Sequence, residues 1–120
     1  MQSKLLTITA LGQGFFYVLT GLWPMVSMST FVAVTGPKTD LWLVNTVGVL
    51  VLCSGLVILL AAFRKAVPGE ILLLAVGNAI GLCAIDIIYV SVGRIDPIYL
   101  ADAVAEIGIV VLYTASVLRK

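Results

Sequence analysis

The sequence predicts an all-α fold, a four-helix up-and-down transmembrane bundle with a short interfacial segment between helices 1 and 2. Three observations predict it. Hydrophobic residues make up 62% of the chain and charged residues 11%, against roughly 45–50% and 25% in a soluble domain. The chain has 120 residues, and so small a domain cannot hide that much apolar surface within itself. The apolar residues also gather into four runs, each close to the roughly 20 residues that cross a bilayer. A mean hydropathy of +1.20 points the same way.

The same composition excludes a cytosolic globular enzyme, a disordered tail, a collagen and a disulfide-stapled module. The formal net charge of +1 offers no basic face for nucleic acid. Histidine is absent, which removes bis-histidine haem and imidazole-based zinc or copper sites. Cys53 and Cys83 form no CxxC pair and suggest no redox motif. No metal and no cofactor are expected, and residues 1–120 read as one integral membrane domain.

The first span covers about residues 5–23 and carries no charge. Trp23-Pro24 is predicted to end it, because the residue before proline resists the α region. Lys4 ahead of an apolar run has the outline of a signal peptide, but no small-residue cleavage site follows, so the run is read as a span. Residues 25–34 are the irregular stretch. Met25, Met28, Phe31 and Val32 share one helical face, which suits a helix lying on the membrane surface. A lid over the mouth of the bundle is the alternative.

Gly36-Pro37 marks a turn, and Asp40 is placed to cap the second span, about 41–63. Arg64-Lys65 closes that span with cations at its C-terminal end. Pro68-Gly69-Glu70 opens the third span, about 71–92, which contains Asp86. Asp96-Pro97 supplies a cap and a first-turn proline for the fourth, about 97–118. The loop at 93–96 is so short that spans three and four must be antiparallel neighbours.

Lys4, Arg64, Lys65, Arg119 and Lys120 fall on one side of the membrane, and only Lys38 and Arg94 on the other. The positive-inside rule therefore predicts cytoplasmic N- and C-termini. Trp23, Trp42 and Tyr99 would sit at the outer boundary as an aromatic belt.

The runs Thr20-Gly21-Leu22-Trp23-Pro24 and Thr35-Gly36-Pro37-Lys38-Thr39-Asp40-Leu41-Trp42-Leu43-Val44 resemble a pattern in small, uncharacterised bacterial four-span integral membrane proteins. The resemblance covers under half of the chain. It implies a bacterial inner (plasma) membrane location and transfers no activity. The chain length is also similar to that of the small multidrug resistance transporters. Their hallmark is a glutamate embedded in the first helix, where this sequence has Gln13.

Polar residues fall on one stripe of each span. Span four carries Asp102, Glu106, Ile109, Tyr113 and Ser116 at alternating steps of four and three, which is one helical face. Span three carries Asn78, Leu82, Asp86 and Tyr89. Span two carries Asn45, Gly48, Leu52 and Gly55, and span one Thr9, Gln13, Tyr17 and Thr20. A rise of about 1.5 Å per residue puts Asp86, Asp102, Glu106, Asn45, Tyr17 and Gln13 all in the outer half. The expectation is an outer-half cavity lined by three carboxylates, with Arg94 reaching in from the loop. With no lysine or arginine inside the spans, three buried acids need a proton or a bound cation to balance them.

The candidate ligand-binding residues are therefore Asp86, Glu106, Asp102, Asn45, Gln13, Tyr17 and Tyr89. The tyrosines would supply aromatic walls for a cation. The best functional expectation is binding or transport of a cation, a proton or an amphipathic small molecule. Two rivals stand beside it: a carboxylate acid–base enzyme acting on an isoprenoid-like substrate, and a structural subunit of a larger membrane complex. Sterol isomerases resemble the four-span plan, but their motifs are missing. Membrane lipids are the expected partners, and a homo-oligomer is allowed. Gly48, Gly55, Gly77 and Gly81 are expected to let helices approach closely, the last two as a GxxxG pair.

Overall fold

The computed structural model describes residues 4–118. It contains five helices: α1 Lys4–Val26, α2 Met28–Thr35, α3 Leu41–Phe63, α4 Gly69–Ser91 and α5 Tyr99–Leu118. The four long ones have mean hydropathies of 1.5, 2.6, 2.3 and 1.7 in chain order. At about 1.5 Å per residue each spans roughly the 30 Å hydrocarbon core. Leu19, Leu50, Leu73 and Val104 lie exposed on the outer surface, as a lipid-facing coat requires.

The long helices form a ring in which α1 packs on α3 and α5, and α4 packs on α5 and lightly on α3. The polar stripes face inward. Gln13, Tyr17, Glu106, Tyr113 and Ser116 are each no more than 1% exposed. The physical reason is the solvent: lipid cannot satisfy these groups, so they turn towards one another.

Two helix boundaries differ from expectation. Pro24 does not end the first span, and α1 runs through it to Val26. The ring of Pro24 is buried against α3, where a Cβ added to Gly48 would come within 3.4 Å of Pro24 Cγ. Tertiary packing thus holds the helix past its missing N–H. At the other mismatch α5 begins at Tyr99, not Pro97. Asp96 Oδ1 accepts the Ile98 N–H at 2.9 Å, and the Tyr99 and Leu100 N–H groups donate to Asp96 O and Pro97 O in tight four-residue turns. Asp40 takes the N-cap position of α3 without a side-chain cap bond.

The helix ends beyond α3 and α4 follow one pattern. Arg94 N–H reaches back to Tyr89 O with Gly93 at φ 75° between them, and Ala66 N–H reaches Ala61 O with Lys65 at φ 54°. Both are left-handed C-terminal turns. Glycine fills one of them and lysine the other.

The closest helix contact is α1 against α3, and its glycines are Gly14, Gly21, Gly48 and Gly55. A Cβ on Gly21 would stand 2.6 Å from Gly48 O, and one on Gly48 would stand 2.7 Å from Gly21 O. A Cβ on Gly14 would lie 3.2 Å from Gly55 O, and one on Gly55 would lie 3.0 Å from Gly14 O. The two backbones touch directly at both levels. Gly77 and Gly81 do not act this way, for a Cβ on either meets nothing within 4 Å. Their face of α4 is exposed.

Gly21→Leu and Gly55→Leu should each destabilise the bundle by about 1–3 kcal/mol or more, since overpacking here must move backbone. Gly81→Leu should stay within about 0.5 kcal/mol of the parent. Denaturant unfolding in mixed micelles measures both, and a large loss for Gly81→Leu would contradict the open face.

Candidate functional site

The ring is packed unevenly along its axis. In the half nearest the α3–α4 loop, Ala10, Ala61, Ala62, Ala75 and Ala79 are all buried to within 1%, and small side chains let four helices meet. In the other half, near α2, the helices part around a cavity of about 530 Å³. Its walls are mostly apolar, with Phe16 from α1, Val44, Val47 and Val51 from α3, and Leu82 from α4. Asp86, Asp102, Glu106 and Tyr17 stand among them.

Each acid is placed by its helix face. Glu106 is fully buried on α5, and Tyr17 from α1 donates its hydroxyl proton to Glu106 Oε1 at 2.9 Å. The other carboxyl oxygen, Oε2, is buried and has no hydrogen-bond partner. Asp86, 4% exposed on α4, also keeps one oxygen, Oδ2, buried and unpartnered. Its carboxyl stands within interaction range of Asp102 and Glu106. Asp102 is half-buried one turn nearer the mouth.

Below Tyr17 a polar belt forms the floor. Tyr113 donates to Gln13 Oε1 at 2.6 Å, and Gln13 Nε2 donates to Ala75 O at 2.8 Å. That ties α1, α4 and α5 together, and both Gln13 side-chain groups are spent in doing so. The cavity is therefore closed at depth and bordered by α2 at its other end.

Four of the seven residues proposed from sequence, Asp86, Asp102, Glu106 and Tyr17, share this cavity. Gln13 lies beneath it as part of the floor. Asn45 sits half-buried on α3 outside the lining, with its Oδ1 buried and unpartnered. Tyr89 is exposed. It follows Asp86 by three residues, a rotation about 60° short of a full turn, and that offset carries it off the cavity face. Arg94 is exposed and does not line the cavity. Cys53 and Cys83 are free.

The cation at the mouth is Lys38. Its Nζ donates to Thr35 Oγ1 at 2.8 Å, Gly36 O at 3.0 Å and Thr35 O at 3.2 Å. It also stands 5.3 Å from the Phe31 ring centre and 5.0 Å from that of Tyr99. The sequence offered a signal for this in Lys38 following the α2 aromatic by seven residues, but the part played by Tyr99 is not local. Trp23 roofs the same end, with its ring edge-to-face on Phe31 at 5.2 Å and its Nε1 donating to Thr30 Oγ1 at 3.0 Å.

Fold and spans together define a multi-pass α-helical membrane protein with an acid-lined cavity. No protein-family model, curated protein or solved structure matches the chain.

The Tyr17 and Tyr113 hydroxyls hold the floor and the deep acid in place. Tyr17→Phe and Tyr113→Phe should each cost about 1–3 kcal/mol, because each leaves a buried acceptor without its donor. Unfolding curves in micelles check this. Wild-type stability in Tyr17→Phe would mean that Glu106 Oε1 finds another donor.

Proposed function

We propose that the cavity receives the cationic head of an amphipathic organic molecule, and that the protein binds or transports such molecules across the inner membrane of a bacterium. The observation that carries this reading is the pair of buried, unpartnered carboxyl oxygens on Glu106 and Asp86, facing a cavity with apolar walls. An orphaned polar atom in so dry a place is costly unless something answers it, and a buried intramembrane acid is a functional group by default. A proton alone does not need 530 Å³ of apolar room. Among the described residues no three acidic or thiol groups converge as a metal site, so the acids suit an extended molecule better than a compact ion. The apolar body would lie along Val44, Val47 and Leu82, with the positive head at Asp86 and Glu106.

Trp23 lines the cavity and Trp42 does not, so a Trp42→Phe protein in lipid nanodiscs carries a reporter at the site. Tetraphenylphosphonium should change Trp23 emission saturably. Tetraphenylborate, of nearly the same shape and opposite charge, should not. Glu106→Gln should weaken phosphonium binding about tenfold, as loss of a charged partner does. Equal responses to both ions, or no change in either Glu106→Gln or Asp86→Asn, would overturn the reading.

The orientation belongs to the same proposal. Lys4, Arg64 and Lys65 stand at one end of the bundle, and Lys38 and Arg94 at the other, and this asymmetry supports cytoplasmic termini by the positive-inside rule. In a cysteine-free background, Arg94→Cys should react with an impermeant maleimide in intact cells and Lys65→Cys should not. The opposite labelling pattern would place the cavity in the cytoplasmic half.

A further inference from the structure

The mouth of the cavity holds an ammonium group in full. Three oxygens, Thr35 O, Thr35 Oγ1 and Gly36 O, take its protons, and the faces of Phe31 and Tyr99 lie 5.3 and 5.0 Å away. An ammonium has three N–H donors, and here each has an acceptor. Aromatic faces add attraction for the charge itself. The group that fills this cradle is the chain's own Lys38, although three carboxylates lie deeper in the same cavity. Tyr99 precedes Glu106 by seven residues on α5, so the cradle stands about 10 Å above the deep acid, with Asp102 between.

We infer that the mouth is a second, separate cation site, specific for a primary ammonium, in which Lys38 acts as a built-in competitor of the incoming ligand. The inference deepens the function proposed above by naming the ligand class, an amphiphile headed by a primary amine. The incoming head displaces Lys38 from Thr35, Gly36 and the two rings, then passes Asp102 to Glu106 and Asp86. Selectivity comes from the oxygens. A quaternary head keeps the aromatic attraction but has no proton for any of the three acceptors. While the head occupies the cradle it makes the contacts that tie the C-terminal end of α2 to α5 in place of Lys38, and they stand open only as the head moves on, so loading and the seating of α2 are linked. Two backbone breaks flank α2, at Ser27 (φ −149°, ψ 85°) and Gly36 (φ 97°).

Chemical rescue tests this. In nanodiscs, Lys38→Ala in the Trp42→Phe background should lower the thermal midpoint and shift Trp23 emission, because α2 loses its tie. n-Butylammonium should restore both saturably, with about a tenfold preference over n-butyltrimethylammonium, whose nitrogen has no proton to donate. Adding Tyr99→Leu should abolish the rescue. The rescue should persist with Glu106→Gln, which disables the deep site, so failure of the cradle and failure of the deep cation site are read separately. Lys38→Met keeps the apolar stem and takes the same titration if Lys38→Ala does not fold. No rescue by the primary amine, or equal rescue by the quaternary one, would overturn the inference.

Discussion

The backbone contact between α1 and α3 decides what the rest of the molecule can do. At Gly21 with Gly48, and again at Gly14 with Gly55, the two helices approach so closely that no side chain fits between them. In a lipid solvent this matters more than in water. Burying leucine gains nothing when lipid is as apolar as the core, so association rests on close packing and on hydrogen bonds between helices. The same contact seats the chemistry. A Cβ on Gly55 would strike Tyr17 Cβ at 2.9 Å, so the absence of a side chain there lets Tyr17 turn inward and meet Glu106.

From that seam the bundle takes two different forms along its axis. Towards the α3–α4 loop, alanines on three helices let the ring close. Towards α2, valines on α3 face Tyr99, Asp102 and Glu106 on α5 across open space. The Gln13–Tyr113–Ala75 belt marks the change. It is fully paired, and it confines the unpaired acceptors of Glu106 and Asp86 to the cavity above. A bundle that only needed stability would satisfy those oxygens or replace them, because unpaired buried carboxyls work against folding.

The opposite end of the cavity is built from weaker ties. α2 is a helix of eight residues held by one aromatic pair, one indole hydrogen bond and the Lys38 cradle. Gly36 is confined from both sides here. Its φ of 97° is one that L side chains rarely adopt, and Asp96 Cβ would be 3.0 Å from any added Cβ. That contact joins the α2–α3 connection to the α4–α5 loop. Lys38 and Tyr99 bridge the same two segments.

The sequence by itself determined the number of spans, their limits to within a few residues, and the inward face of spans one and four. Those properties depend on apolar length and on a helical period, both of which are local. The stripe from Asp102 through Glu106 to Tyr113 needed no partner to be legible. Depth along the helices placed Glu106 and Tyr17 in the same half of the bilayer, but that Tyr17 donates to Glu106 was decided by how α1 and α5 cross. The tertiary structure decided the rest. The GxxxG at Gly77 and Gly81 is a recognisable pattern but faces outward. The glycines that matter are spaced seven apart on two helices, and only antiparallel register brings them opposite each other. Pro24 stays helical because α3 offers it a glycine to pack on. Tyr89 leaves the cavity through a rotation of about 60° that a stripe drawn on one helix does not resolve. Lys38, rather than Arg94, guards the mouth because its cradle is shared between α2 and α5, elements some sixty residues apart in the chain. Periodicity within a helix records which side is buried; which residue lies across from it is set by how two helices cross, and no single helix carries that information.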